Sequence, residues 1–194
     1  MLILFIRHGE TYHNVKEGID QSLTSRGKKQ IAMVAKRLKT YTPEAIYASP
    51  LERALQTAQE IHQYHPGLKL QILPGLTEIP RALVGVHTPW VFEGKAIIPS
   101  RSMISAYKKS ADAMFEKMLS WKHETVIVVC HGTLISYFLT KFLKIPANRG
   151  QYFRIDNTSV TAVQYKPHKT RIILLNGRKH LPSRLTIDPH LHIP

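Results

Sequence analysis

The chain is 194 residues long and 43% hydrophobic, and its 27 Lys and Arg against 13 Asp and Glu give a formal net charge of +14. That length suits one domain with a full core, and no apolar run approaches the roughly 18 residues a membrane span needs. Cys130 is the only cysteine, which excludes an intramolecular disulfide, and the default reading is a protein of the reducing cytoplasm.

In chain order, residues 2–6 read as a first strand buried on both faces. It lacks a basic preamble and meets Arg7 too soon to be a signal peptide. Thr24 or Ser25 caps a helix through about Lys39, with Ile31, Val34, Ala35 and Leu38 on its apolar face. Residues 45–48 form a second strand, and Pro50 starts a helix that carries Leu51, Leu55, Ala58 and Ile61 or His62 on one side. A strand at 70–73 precedes an irregular stretch, 79–102, broken by Pro80, Gly85, Pro89, Gly94 and Pro99. This stretch is read as an excursion over the active site. Arg81, His87, Trp90, Phe92, Lys95 and Arg101 are its candidates for substrate contact, with an ordinary loop role open to each. A helix at about 102–121, a strand at 125–130, a helix at about 133–143 stopped by Pro146, and strands at 160–165 and 171–175 complete the chain. Strands alternating with helices predict a three-layer α/β/α sandwich with a largely parallel central sheet, all within one domain, 1–194.

The charge attracts nucleic acid, anionic membranes and small phosphorylated substrates alike. Arg26, Lys28, Lys29, Lys36, Arg37 and Lys39 read as a solvated helix face. From Lys166 onward, Lys169, Arg171, Arg178, Lys179 and Arg184 face only Asp188, a composition that allows a basic arm. No nucleic-acid motif accompanies the charge and no aromatics interleave with it, so nucleic acid is disfavoured as a partner. The sign of the charge alone does not choose between the others.

The chemistry gathers where apolar strands end. The first runs into Arg7-His8-Gly9-Glu10-Thr11, which brings a guanidinium fork and an imidazole to the strand edge where α/β enzymes bind ligands. A phosphomonoester carries up to two negative charges, so a nucleophile reaches phosphorus only where its oxygens are neutralised and the group is held in line. His131 likewise follows an apolar strand, and Arg53 lies in the first turn or so of a helix that follows another, so both can converge on the same sheet edge. Cys130 beside His131 invites a nucleophile reading, against which a small buried residue closing a strand is favoured.

These blocks, in this order, resemble the histidine phosphatase superfamily, the phosphoglycerate mutase-like fold, in its phosphohistidine-forming branch. The resemblance covers nearly the whole chain. It is carried by Arg7-His8-Gly9-Glu10-Thr11 with Asn14, by Leu23-Thr24 with Gly27 and Gln30, and by Ser49-Pro50-Leu51-Glu52-Arg53-Ala54 with Thr57-Ala58. Cys130-His131-Gly132, Asn157-Thr158-Ser159-Val160 and Asn176 with His180-Leu181 complete it. It implies a metal-independent phosphatase with no cofactor, acting on a small phosphorylated substrate, with a phosphoprotein as the alternative. His8 attacks through Nε2, Arg7, Arg53 and His131 surround the phosphoryl oxygens, and Asn14 and the Gly132 amide are further substrate donors. Glu78 of Leu76-Thr77-Glu78 matches the acid that protonates the leaving group and then activates water. The chain departs from the family after it, with Ile79-Pro80-Arg81 where family members often continue with glycine and an acidic-glycine pair. Glu10 is the fallback acid.

His180, His190 and His192 lack the spacing of a metal site. The alternatives are a phosphoglycerate mutase-type phosphotransferase, against which the short excursion after Glu78 argues, and a weakly catalytic module binding phospho-ligands or nucleic acid.

Overall fold

The structure is a computed structural model that describes residues 1–12, 22–86, 90–92, 95–146 and 152–186. Its strands are β1 (Leu2–Arg7), β2 (Ala45–Ala48), β3 (Leu70–Ile72), β4 (Trp90–Phe92), β5 (Lys95–Ile97), β6 (Thr125–Cys130), β7 (Val160–Lys166) and β8 (Lys169–Gly177). Its helices are α1 (Ser25–Leu38), α2 (Glu52–His62), α3 (Arg101–Leu119) and α4 (Gly132–Phe142). One sheet has the order β3-β2-β6-β1-β7-β8, and β4 pairs with β5 apart from it. Neighbours from β3 to β1 are parallel, whereas β7 and β8 are antiparallel additions at one edge. A link as short as Pro167-His168, with His168 at φ 66°, permits only a hairpin.

Side chains on alternate positions of the central strands enter two cores. Ile3, Phe5, Val126 and Val128 pack with Phe115, Met118, Leu134 and Phe138 of α3 and α4. Leu4, Ile6, Ile127 and Val129 pack with Val34, Leu38, Ala58 and Ile61 of α1 and α2. Covering on both faces is why β1 and β6 are apolar at nearly every position, and it makes the expected three layers. Phe5 lies 6.0 Å from Phe138, and Phe115 meets Phe142 edge-on at 4.8 Å between ring centroids. Each such pair adds about 0.5–1.5 kcal/mol beyond the area it buries.

Boundaries differ from the sequence reading for local reasons. Thr24 caps α1 as expected, its hydroxyl accepting from the Gly27 amide at 2.8 Å. Pro50 does not start α2. Leu51 remains extended at φ −69°, ψ 132°, its amide donates to the Ser49 hydroxyl at 3.2 Å, and the helix begins at Glu52. Lys144, at φ 54°, ends α4 before Pro146 can, with the Ile145 amide returning to the Thr140 carbonyl at 2.8 Å. The stretch read as irregular contains a 3-10 turn at Arg81–Val84 and the β4-β5 pair. The stretch from Lys166, which its composition allows as an arm, is folded as far as Thr186, the last described residue. Lys169–Gly177 is strand β8, Arg178 pairs with Asp156 at 2.7 Å, and Gln30 Nε2 donates to the Leu185 carbonyl at 2.9 Å. No helix among the described residues is long and apolar enough to cross a membrane.

Candidate active site

Three adjacent parallel strands end at one edge of the sheet, and the residue after each reaches the site. His8 follows β1, Ser49 follows β2 and His131 follows β6. The ladder extends past the strands, since the His8 amide donates to the Cys130 carbonyl and the Ser49 amide to the Val129 carbonyl, both at 3.0 Å. Both histidines are buried, with their ring centroids 5.2 Å apart.

The hydrogen bonds of His8 fix its tautomer. Nδ1 lies 2.7 Å from the Gly9 carbonyl, which can only accept, so Nδ1 carries the proton. Nε2 is then a lone pair, and Arg53 Nε donates to it at 3.1 Å. Burial, followed by Arg53, His131 and Arg7, holds His8 well below the usual histidine range, against a smaller opposing push from the Gly9 carbonyl. The side chain is therefore a neutral imidazole with its free electron pair turned to a guanidinium. Asn157 Nδ2 and the Thr158 amide hold the His8 carbonyl from behind, at 3.0 and 3.3 Å.

Arg53, in the first turn of α2, is buried, and that burial lowers its guanidinium to about 10, so it remains charged at neutral pH. Arg7 donates through Nη1 to the Ile155 carbonyl at 2.7 Å, while its buried Nε has no hydrogen-bond partner among the described residues. Gly132 opens α4 beneath it, and a Cβ there would stand 3.4 Å from Arg7 Nε. The guanidinium thus lies across a glycine at a helix N-terminus, a place that favours anions. His131 is held neutral by burial first, then by Arg53 and Arg7.

Glu78 Oε1 accepts from the Leu134 amide in the first turn of α4 at 3.2 Å and from the Ile79 amide at 3.1 Å. Those bonds and the two arginines favour its charged form, but burial outweighs them and raises the carboxyl above its usual range. It can keep a proton where an ordinary glutamate has lost one. Glu10, the fallback acid, is otherwise engaged. Its carboxylate takes the Thr24 hydroxyl at 2.9 Å and Arg26 at 3.3 Å, at the start of α1. Cys130 is fully buried, and burial pushes its thiol upward, so a thiolate is disfavoured.

The structure thus brings together Arg7, His8, Arg53, Glu78, His131 and Gly132. Asn14, His87, His190 and His192 lie outside the described residues, as do the side chains of Trp90, Phe92 and Lys95. Arg81 and Arg101 are exposed, the first in its 3-10 turn and the second opening α3. Sequence reasoning assigned no role to Ser49, Thr57 or Asn157, although all stand inside motifs it had marked. Thr57 Oγ1 accepts from the Gly9 amide at 3.1 Å and donates to the Arg53 carbonyl at 2.7 Å, tying the two motifs together. His180 lies 3.1 Å from Arg37 Nη1 and is lowered to about 4, chiefly by burial. Among the described residues no three His, Cys, Asp or Glu side chains gather as a metal site.

The family model described as histidine phosphatase superfamily (branch 1) matches residues 3–82 and 89–178. The adenosylcobalamin/alpha-ribazole phosphatase of Escherichia coli K12 is 24% identical, the alignment covering 92% of this chain and 97% of that protein. A Proteus mirabilis protein named "Probable phosphoglycerate mutase GpmB" is 26% identical over 84% of this chain and 85% of its own. The crystal structure of the alpha-ribazole phosphatase from Shigella flexneri superposes with a TM-score of 0.74 at 21% identity, covering 91% of this chain and 96% of that one.

Proposed function

Because the chain belongs to the histidine phosphatase superfamily (branch 1), we propose that it hydrolyses the phosphomonoester of a small phosphorylated metabolite through a phosphohistidine on His8. The observation that carries this reading is the tautomer of His8, whose Nδ1 proton is held by the Gly9 carbonyl while Nε2 presents its lone pair beside Arg53. In the first step Nε2 attacks phosphorus and the ester P–O bond breaks. The departing oxygen takes the proton of Glu78. In the second, the Glu78 carboxylate takes a proton from water, whose oxygen attacks phosphorus, and the N–P bond breaks to release phosphate and neutral His8. Arg7, Arg53, His131 and the Gly132 amide neutralise the phosphoryl oxygens. None of these steps calls for a metal. The enzyme is read as cytoplasmic, the default for a chain whose single cysteine leaves it without a disulfide framework.

Phosphate release from a panel of alkyl, sugar and aryl phosphates tests the reading. Turnover that forms an alkali-stable, acid-labile phosphoenzyme is expected. No release from any member, or return of the phosphoryl group to a second hydroxyl of the substrate in place of water, would overturn it.

Two further outcomes follow from Glu78. Glu78→Gln is expected to slow alkyl phosphates by about 10²-fold or more and aryl phosphates much less, because an aryl leaving group needs little protonation. Equal, near-wild-type rates on both would remove Glu78 from the mechanism. The kcat/KM profile is expected to be bell-shaped, with His8 setting the acid limb below the usual histidine range and Glu78 setting the alkaline limb above the usual glutamate range. Activity needs neutral His8, lowered from 6.5, and protonated Glu78, raised from 4.5, so it falls below the first and above the second. A profile with no alkaline limb, or one whose alkaline limb is unchanged in Glu78→Gln, would contradict the assignment of Glu78.

A further inference from the structure

Ser49 is fully buried, and its hydroxyl lies between two nitrogens, the Leu51 amide at 3.2 Å and His131 Nε2 at 2.8 Å. The Leu51 N–H can only donate, so it takes one lone pair of Oγ. The bond to His131 admits two directions. Were Nε2 protonated, Oγ would accept twice, and the hydroxyl hydrogen would be buried with neither nitrogen left to receive it. With the hydroxyl donating to Nε2, the amide, the hydroxyl and Nε2 are all satisfied, which is the state buried polar groups adopt. His131 is held neutral by burial and by the two arginines, so it has a single ring proton to place.

That proton then belongs on Nδ1, a buried atom with no hydrogen-bond partner among the described residues, in a site whose neighbouring charges are Arg53 and Arg7. A lone pair at this atom would repel a phosphoryl oxygen, whereas an N–H would donate to it. We propose that Ser49 is a positioning residue that fixes the Nδ1–H tautomer of His131 and so makes His131 a hydrogen-bond donor to the phosphoryl group. The donor role rests on the phosphohistidine reading of the site; the tautomer does not. Leu51 belongs to the same device, because its extended backbone holds its amide against Ser49 and delays the start of α2.

The test is ¹⁵N NMR of histidine-labelled protein at neutral pH, with the His131 signals assigned by their loss in His131→Gln. Wild type is expected to show Nδ1 protonated and Nε2 as a hydrogen-bonded acceptor. Ser49→Ala is expected to move the proton partly or wholly to Nε2 and to lower kcat about tenfold, and Ser49→Thr, which keeps a hydroxyl, is expected to restore both. An Nε2-protonated His131 in wild type, or an unchanged tautomer in folded Ser49→Ala, would overturn the proposal. Should Ser49→Ala fail to fold, the wild-type spectrum decides alone. His8→Ala separates the two readings, since it is expected to abolish turnover while leaving the His131 tautomer in place. A wild-type protein with the Nδ1–H tautomer and no turnover would defeat the phosphatase reading and the donor role while the tautomer stood.

Discussion

His8→Ala is expected to lower kcat for any phosphomonoester by about 10³-fold or more and to abolish the phosphoenzyme, because a covalent route has no substitute for its nucleophile. The mutant is expected to remain folded and to bind substrate or product phosphate. Truncation removes a neutral ring, leaves Arg7, Arg53 and His131 in place, and frees the Arg53 Nε donor that His8 Nε2 accepts at 3.1 Å. Phosphate affinity is therefore expected to be equal to or tighter than that of wild type. Rapid-quench labelling, together with titration of inorganic phosphate, reads both effects. Loss of turnover with phosphate binding retained is the signature of a removed nucleophile. Turnover that survived with the phosphoenzyme absent would mean direct attack by water, and the second step of the mechanism would have to serve as the first.

The types of these residues and their places at strand ends were legible in the chain, whereas the bonds that tune them were not. Arg7-His8 and His131 each follow a run of strand residues buried on both faces, a pattern that survives in one dimension because nearly every position is apolar. The partner of each is remote in sequence. Arg53 stands 45 residues from His8, Glu78 lies 56 from the Leu134 amide, and Ser49 lies 82 from His131. Periodicity reports which face a residue occupies and says nothing of which donor meets which acceptor across a sheet edge.

The backing of the nucleophile was equally hidden. Thr158 sits at φ 53° with its amide 3.0 Å from the Arg7 carbonyl, a conformation that a β-branched residue adopts only when its surroundings impose it. Those surroundings include Asn176, at φ 51°, which bonds to the Asp156 amide at 2.7 Å and to its carboxylate at 3.2 Å. Local propensity would have given Thr158 an extended backbone. Helix ends were placed to within a residue or two but for the wrong cause, because proline is a loud signal. At Pro50 and Pro146 it overrode the Ser49 hydroxyl bond and the left-handed Lys144 that in fact begin and end the two helices.

Gly27→Ala is expected to be the most damaging single-methyl change in the described structure, although alanine favours a helix over glycine by about 1 kcal/mol. A Cβ at this position of α1 would stand 2.1 Å from the Glu10 carbonyl oxygen and 3.0 Å from the Glu10 carbonyl carbon and amide nitrogen. All three are backbone atoms, so no side chain can turn aside. The Glu10 carbonyl is also held by the Thr24 amide at 3.0 Å, and the Glu10 amide by Gln30 at 2.9 Å, so the clash must part the helix from the nucleophile loop. Overpacking of this kind costs about 1–3 kcal/mol and occasionally more, and a rigid backbone contact belongs at the upper end. For a chain of this size that lowers Tm by about 5–10 °C.

The same displacement reaches the chemistry. Gly9 packs against Ile31, Leu23 and the Gly27 carbonyl, and it supplies the carbonyl that fixes the His8 tautomer at 2.7 Å. A loop lifted from α1 carries that carbonyl with it, so kcat is expected to fall in protein that is still folded at the assay temperature. Gly67→Ala is the matched control. Its Cβ would meet nothing within 4 Å, and at most a slight stabilisation with unchanged activity is expected. Thermal melts and kcat measured on both variants decide the matter. A Gly27→Ala protein as stable and as active as Gly67→Ala would show that the first helix and the nucleophile loop are not in register as described, and the geometry assigned to His8 would lose its support.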